Sequence, residues 1–393
     1  MKSQMRICNI TESYPSRFEA KTNAFALHRG TSLHNDAKKL AEKGAAVSVI
    51  TSKVEGEAPN EVFEGIPVYR VRKRGMYPAG FVWRMMYAVL VLHRKQRIDI
   101  IHGHWAGFSG LAAILAGKII RKPVVISIYG NDIMYAPEYR YGAYCRPVLR
   151  PIVRYILLHA TCILSLSPLL AEEMHQQWKV KRNAIILPLA VGDEYLKGAT
   201  PVKFGKRIRL LTVARTVKRK RVSDIVRAAA MLQEAGIDFV LHIVGKAGDE
   251  QPEIERLIAE HHLQGKVICT GAMKNRDVIA YYERCQIFIL TSVAEGFGNV
   301  FFEALSRRRP VIMSDTTGCS RILQNNVHAV IIPPLQPERI FRAILSLIRN
   351  TQEAKRMAER GYALVRDYHT YDHRAAQLLQ IYRDCIRRGD GAR

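Results

Sequence analysis

Hydrophobic and polar positions follow two periods along this chain. Short apolar runs of strand length ("MRICNI", "AAVSVIT", "IPVYRVR", "IDIIHGH", "KPVVISIYG" and "CILSLS") are separated by stretches with helical spacing at 22–43, around 81–95, and at 108–120. The alternation restarts with "IRLLTVA", a helix over 222–235, "FVLHIVG" and a helix over 252–262, then "KVICTG", "IFILTS", "PVIMSD" and "HAVIIP". Apolar strands alternating with helices predict parallel sheets covered on both faces. Between the two series lies "VGDEYLKGATPVKFGKR", rich in Gly, Pro and Lys, which reads as a connection between domains. The expected class is α/β, with two Rossmann-like domains facing each other across a cleft. The expected boundaries are residues 1–195, a linker at 196–206, residues 207–370, and a C-terminal helix at 371–393 that closes a long helical tail.

Composition narrows the function. The 393 residues, 48% hydrophobic and 24% charged, suffice for two full cores. Sixty Lys and Arg against 35 Asp and Glu leave a net charge of +25, spread as +13 over residues 1–200 and +12 over 201–393. A basic tail is excluded, and the partner classes are anionic: nucleic acid, a phospholipid surface or phosphorylated substrates. Seven cysteines without CxxC spacing argue against a disulfide framework or structural zinc. "MKSQMRICNITESYP" lacks the apolar core of a signal peptide, and charges interrupt every long apolar window. The expectation is a cytoplasmic protein, soluble or peripheral.

Candidate chemistry concentrates in "TSVAEGFGNVFFEALS". With "IFILTS" a strand and "NVFFEALS" a helix, "VAEGFG" is a loop at a strand's carboxyl end. The N–H groups of Phe297, Gly298, Asn299 and Val300 then suit a phosphate, and glycine lets backbone approach closely. Glu303, one turn inside the helix, can accept two hydrogen bonds from a ribose diol, and Glu295 can accept hydroxyls of a second sugar. A capped helix with solvated glutamates is the alternative for this stretch taken alone. Upstream, nine basic residues and no acid lie between Lys203 and Arg221. Arg215 and Lys220 follow the strand "IRLLTVA", at a carboxyl end of the same sheet, where positive charge would meet a diphosphate.

With these residues in place, the chain resembles the retaining glycosyltransferases of family 4, which have the GT-B fold. The resemblance rests on Glu295 and Glu303 in "EGFGNVFFE", a Glu-x7-Glu element, on Arg215 and Lys220 five apart, and on the order of the segments between them; it covers nearly the whole chain. It implies that Glu303 binds the nucleotide ribose, Glu295 the transferred sugar, and Arg215 and Lys220 the diphosphate leaving group. It also implies attack on the same face of the sugar, no metal or other cofactor, and a UDP- or GDP-linked donor as substrate. Arg221 and Arg308 stand where the family usually has glycine, and "TGCSR", with Arg321, replaces a Gly-Gly-x-Pro-Glu turn.

The resemblance places the acceptor in the first half, on Asn131 and Asp132, with His104 at the position of a cleft histidine. Tyr129 to Asp132 replace a common His-Gly-Ser-Asp, and "SRFEAKTN" replaces a glycine pair near residue 17. His104 is open to a catalytic or a structural reading; His102 reads as structural. "RVRKRGMYPAGFVWRMMYAVLVLHRKQR" brackets aromatic and apolar residues with basic clusters, and Arg146, Arg150 and Arg154 share one face if the segment is helical, with Pro147 and Pro151 able to delay the helix start. Such segments bind anionic membranes, with Phe81 and Trp83 inserting; an ordinary core helix with a charged outer face is the alternative.

The expected activity is transfer of a hexose-type sugar from a nucleotide diphosphate sugar to a glycan or lipid-linked acceptor at the inner face of the cell membrane, in cell-envelope polysaccharide or glycoconjugate synthesis. Two rivals remain at this stage: a GT-B subunit that binds without catalysis, and a basic nucleic-acid-binding protein. The second lacks any recognisable nucleic-acid module.

Overall fold

A computed structural model describes residues 4–16, 30–53, 56–72 and 78–391. The chain divides into two compact units, Met1–Leu189 with Tyr371–Arg393, and Ala190–Thr370.

The first unit is built on β1 (Arg6–Ile10), α1 (Thr31–Glu42), β2 (Ala46–Lys53), β3 (Asn60–Phe63), β4 (Ile66–Arg72), α2 (Pro78–Gln96), β5 (Ile100–His104), α3 (Phe108–Ile120), β6 (Val124–Ile128), α4 (Arg150–His159), β7 (Cys162–Ser165), α5 (Pro168–Gln176) and β8 (Ile185–Ile186). Its eight strands lie in the order β3-β4-β2-β1-β5-β6-β7-β8, all parallel except β3, which runs antiparallel to β4. β3 escapes the sequence pattern because it lies at the sheet edge with only Phe63 of its four residues buried, so it carries no apolar run. Its hairpin turns on Glu64 and Gly65, both at positive φ (44° and 85°), the pairing that a two-residue turn of this hand requires.

The second unit begins with a short helix, α6 (Asp193–Leu196), and continues through β9 (Ile208–Val213), α7 (Val222–Glu234), β10 (Phe239–Val244), α8 (Gln251–Glu260), β11 (Val267–Gly271), α9 (Asn275–Arg284), β12 (Ile287–Leu290), α10 (Asn299–Ser306), β13 (Val311–Ser314), β14 (Val330–Ile332), α11 (Pro337–Arg349) and α12 (Thr351–Tyr368). Six parallel strands lie in the order β11-β10-β9-β12-β13-β14. All four residues of β12 are buried, as expected for a strand covered on both faces.

Residues 196–206, expected to be a linker, are fastened to the second unit. Arg307, 1% exposed, donates from Nη1 to the carbonyls of Tyr195 (3.0 Å) and Lys197 (2.7 Å), and Arg309 donates to the Thr200 carbonyl (3.0 Å). Gln286 donates to the Lys203 carbonyl (3.1 Å). The backbone of this segment finds in buried arginines the partners that a strand would have given it.

The last helix, α13 (Tyr371–Gly391), packs with the first unit. Arg374, 2% exposed, donates from Nε to both oxygens of Asp36 on α1 (3.0 Å each) and from Nη1 to the Leu187 carbonyl (2.8 Å). Burial pushes the Asp36 carboxyl up, and the Arg374 charge opposes that shift. Removing the arginine leaves a carboxylate stranded in the core. Arg374→Ala should therefore cost about 3–5 kcal/mol, measured by urea unfolding. A loss under about 1 kcal/mol, the range of an exposed pair, would show that the contact contributes little.

Candidate functional site

Strand order reverses between β9 and β12 in the second sheet, so the loops that follow these two strands meet at its carboxyl edge. The Val293 N–H donates to the Arg219 carbonyl at 2.9 Å and joins them. Eight of the residues singled out from the sequence lie on these two loops and the helix that follows: Arg215, Lys220, Glu295, Phe297, Gly298, Asn299, Val300 and Glu303. Lys220 forms an ion pair with Glu295, and Arg219 donates to the Ala294 carbonyl (2.8 Å) and approaches Glu295 at 3.5 Å. Burial, followed by the charges of Arg219 and Arg215, pushes the Lys220 ammonium well below its ordinary value. Arg215 is exposed beyond the end of β9, with no acidic partner among the described residues. Arg219 was not among the residues picked out from the sequence; the run "KRKR" gives no clue which member turns inward.

Helix α10 starts where the residue pattern places it. Gly298, its N-cap, sits at φ 95°, and a Cβ there would lie 2.5 Å from the Phe301 ring, so only glycine fits. Among the described residues no side chain caps this terminus. Helix α7 behaves differently: Glu250 accepts from the N–H groups of Val222 and Ser223 (3.1 Å each) and occupies its N-terminus. Phe297 is 3% exposed against Phe302 (ring centroids 5.1 Å apart), which fixes the loop from below. From the other side, Gly318 N–H donates to the Glu295 carbonyl (2.9 Å) and Cys319 N–H to the Phe297 carbonyl (3.1 Å). "TGCSR" thus still braces the Glu295 loop, while Arg321 stands exposed.

Glu303 accepts from the Tyr282 hydroxyl (3.0 Å) and from Asn299 Nδ2 (3.0 Å). Burial pushes its carboxyl up to about 7, against these two hydrogen bonds, which favour the ionised form. Tyr282, fully buried on α9, was missed because nothing in "YYERC" separates a core tyrosine from a site tyrosine.

Arg221 and Arg308, where the resemblance leads to an expectation of glycine, both adopt left-handed backbone (φ 52° and 58°). Each is compensated by its side chain. Arg221 grips Asp224 through Nε (2.9 Å) and Nη2 (2.7 Å), and Arg308 bonds Glu359 (3.2 Å) and lies 4.2 Å over the Tyr362 ring.

The first sheet has the same reversal, between β1 and β5, and a cavity of about 340 Å³ opens where the loops after these strands meet. Ser13, Trp105, Phe108, Asn131, Asp132 and Arg146 are among its lining residues. Asn131 is exposed at the rim. Asp132 is 5% exposed and occupied, accepting from the N–H groups of Ala106 (2.9 Å), Tyr129 (3.0 Å) and Gly130 (2.9 Å), so it shapes the loop. His104, 1% exposed, has both ring nitrogens engaged, by the Tyr129 hydroxyl (2.7 Å) and Asn9 Oδ1 (3.1 Å), and burial keeps it neutral. In this arrangement it offers no nitrogen to a substrate. His102 lies against it at 4.0 Å between rings, bonded to Tyr382 and Ser127. Trp105 was not anticipated. It sits at φ 67° with its ring 4.5 Å from that of Tyr129, a half-buried aromatic pair beside the cavity.

The surface readings are partly corrected. Phe81 is 3% exposed and belongs to the buried side of α2 with Met85, Val89 and Leu92, whereas Trp83 (66%) and Tyr87 (65%) are exposed on that helix. Arg146 precedes α4, which begins at Arg150, so the three arginines do not share one helical face. Lys73, Arg74 and residues 17–23 of "SRFEAKTN" lie outside the described residues. Among the described residues no helix is long and apolar enough to cross a membrane.

Residues 199–364 match the family model of glycosyl transferases group 1, and residues 30–190 that of a glycosyl transferase 4-like domain. The chain is 26% identical to the putative teichuronic acid biosynthesis glycosyltransferase TuaC of Bacillus subtilis, over 84% of this chain and 86% of that one. It is 24% identical to the alpha-D-kanosaminyltransferase of Streptomyces kanamyceticus, over 77% and 83%. The structure of HepE from Anabaena, solved with UDP and glucose, aligns at a TM-score of 0.72 and 17% identity over 97% of this chain and all of that one. At that identity the likeness shows the fold, which is GT-B.

The raised Glu303 carboxyl makes stability depend on pH. An acid whose folded pKa exceeds its unfolded one opposes folding once ionised, so the penalty is absent below about 4.5 and complete above about 7. Glu303→Gln removes that titration. Its stability relative to the natural protein should therefore rise between pH 5 and pH 8 in urea unfolding; an unchanged difference would place the carboxyl at an ordinary pKa.

Proposed function

The chain belongs to the glycosyl transferases group 1 family, and on that premise we propose that it moves a hexose-type sugar, with retention, from a nucleotide diphosphate sugar to a glycan or lipid-linked acceptor. The observation that carries this reading is the convergence of Lys220, Arg219, Glu295 and an uncapped helix N-terminus on adjoining loops, with Glu303 four residues into that helix. A diphosphate drawn to Arg215 and Lys220 competes with Glu295 for the lysine, freeing the carboxylate to hold hydroxyls of the transferred sugar. The N–H groups at Phe297–Val300 meet the phosphates and Glu303 the ribose. Charge developing on the leaving group is stabilised by these cations and dipoles, fixed in advance, with no metal ion required. The acceptor hydroxyl is brought to the anomeric carbon by positioning, with Asn131, Trp105 and Arg146 on its side. His104 serves by holding Tyr129 against Trp105.

The UDP and glucose bound to HepE support a nucleotide-sugar donor, and the name of TuaC supports an envelope polysaccharide or related glycoconjugate as product. Trp83 and Tyr87, with the exposed Arg72, Arg94, Lys95 and Arg97, suit peripheral attachment at the cytoplasmic face of the membrane.

Hydrolysis of a panel of UDP- and GDP-sugars tests the activity directly. Turnover should survive EDTA, and Lys220→Ala should lower kcat by about a hundredfold or more, the scale of losing one charge-stabilising donor. Strict dependence on Mg²⁺ or Mn²⁺ would contradict this division of labour. Binding to vesicles containing anionic lipid should fall steeply with salt, since each basic residue near the surface contributes about 1 kcal/mol. Trp83→Ala should weaken that binding and leave donor hydrolysis intact. Indifference to anionic vesicles at low salt would redirect the positive charge to a soluble acidic acceptor.

A further inference from the structure

The opposite, amino-terminal end of the second sheet carries another cavity, of about 700 Å³, within the span of roughly 300–1,000 Å³ typical of small-molecule sites. Its floor is one face of the sheet: Arg209 and Leu211 alternate along β9, and Leu211 pairs with His242 on β10. The end of α9, with Arg284, forms one wall, and residues 200–203 contribute to another. Gln286 ties floor to wall, accepting from the Arg209 N–H (2.6 Å) and donating to the Lys203 carbonyl (3.1 Å), so the cavity is preformed.

Its charge is one-sided. Lys203, Arg209, Arg284 and Arg309 all line it. Among the described residues, Lys203, Arg209 and Arg284 have no acidic partner, and Glu283, the one acid in the lining, is ion-paired with Arg307. Arg309 is 2% exposed; it spends Nη2 on the Thr200 carbonyl (3.0 Å), and its Nε has no partner among the described residues. His242 reports the same field: burial, then Arg209, Arg207 and Arg284, push its pKa down. Lys203, Arg209 and Arg284 are exposed, so their unpaired charges stay hydrated and together present a positive field that draws an anion into the hollow.

We propose that this cavity binds a small phosphate-bearing anion. Guanidinium forks match phosphate oxygens two at a time, and three of the four cations are arginines. The site is separate from the donor loops: Arg209 is the second residue of β9, and Arg215 lies beyond that strand's other end.

Pyrophosphate is the probe, titrated calorimetrically at low salt into Arg215→Ala/Lys220→Ala protein, in which the two cations assigned to the donor diphosphate are removed. That protein should retain one salt-sensitive site. Adding Arg209→Gln and Arg284→Gln, both exposed positions, should weaken it about tenfold or more, the loss expected for charge-assisted hydrogen bonds. Hydrogen exchange on the same samples should show pyrophosphate protecting residues 200–203 and 281–286. Absence of binding in the Arg215→Ala/Lys220→Ala protein, or binding that Arg209→Gln and Arg284→Gln leave unchanged, would overturn the proposal. Donor hydrolysis by the natural protein, measured in parallel, reports on the transferase reading independently.

Discussion

Parallel pairing sends the carboxyl end of every strand in a sheet to the same edge, and the rest of this molecule is arranged around that constraint. Where the strand order reverses, neighbouring loops run off in opposite directions and leave a crevice between them. The chain does this twice, at β1/β5 and at β9/β12. Each reversal collects loops from distant parts of the sequence, so residues some 75 positions apart, such as Lys220 and Glu295, become an ion pair. Secondary structure therefore decides where chemistry is possible, and a few side chains decide which chemistry.

Much of the fold is legible in the residue pattern because buried parallel strands are apolar throughout and their helices are not. Helix α10 begins at Asn299 as read, since Gly298 and the change of period both mark it. What the pattern hides is short or lies in three dimensions. β8 has two residues, too few for any period. Phe81 and Trp83 look alike as aromatic residues in a basic segment. Two positions apart on a helix, however, they point roughly 200° apart, and only Trp83 escapes the core.

The candidate site divides in the same way. Glu295, Glu303 and Lys220 could be singled out because acid and base near glycine turns are conspicuous. Their partners could not. Tyr282 reads as core, Arg219 is one of four basic residues in a row, and Trp105 gains its place from a left-handed backbone conformation that no pattern announces. The arginines 307–309 are the sharpest case. As a sequence they are a charged run, yet two of them are buried anchors for the backbone of residues 195–200.

Arg221 and Arg308 carry a consequence for how this chain can change. A side chain in left-handed backbone costs on the order of 1–2 kcal/mol, which glycine does not incur. Here each arginine offsets that cost with contacts of its own, to Asp224 and to Glu359 with Tyr362. Alanine at either position would keep the strain and lose the contacts, so the single-step neighbours of these arginines are mostly worse than either end state. Lineages are then expected to hold at glycine or at a well-anchored long side chain, with little in between, and the two positions behave as evolutionary ratchets rather than as freely drifting loop residues.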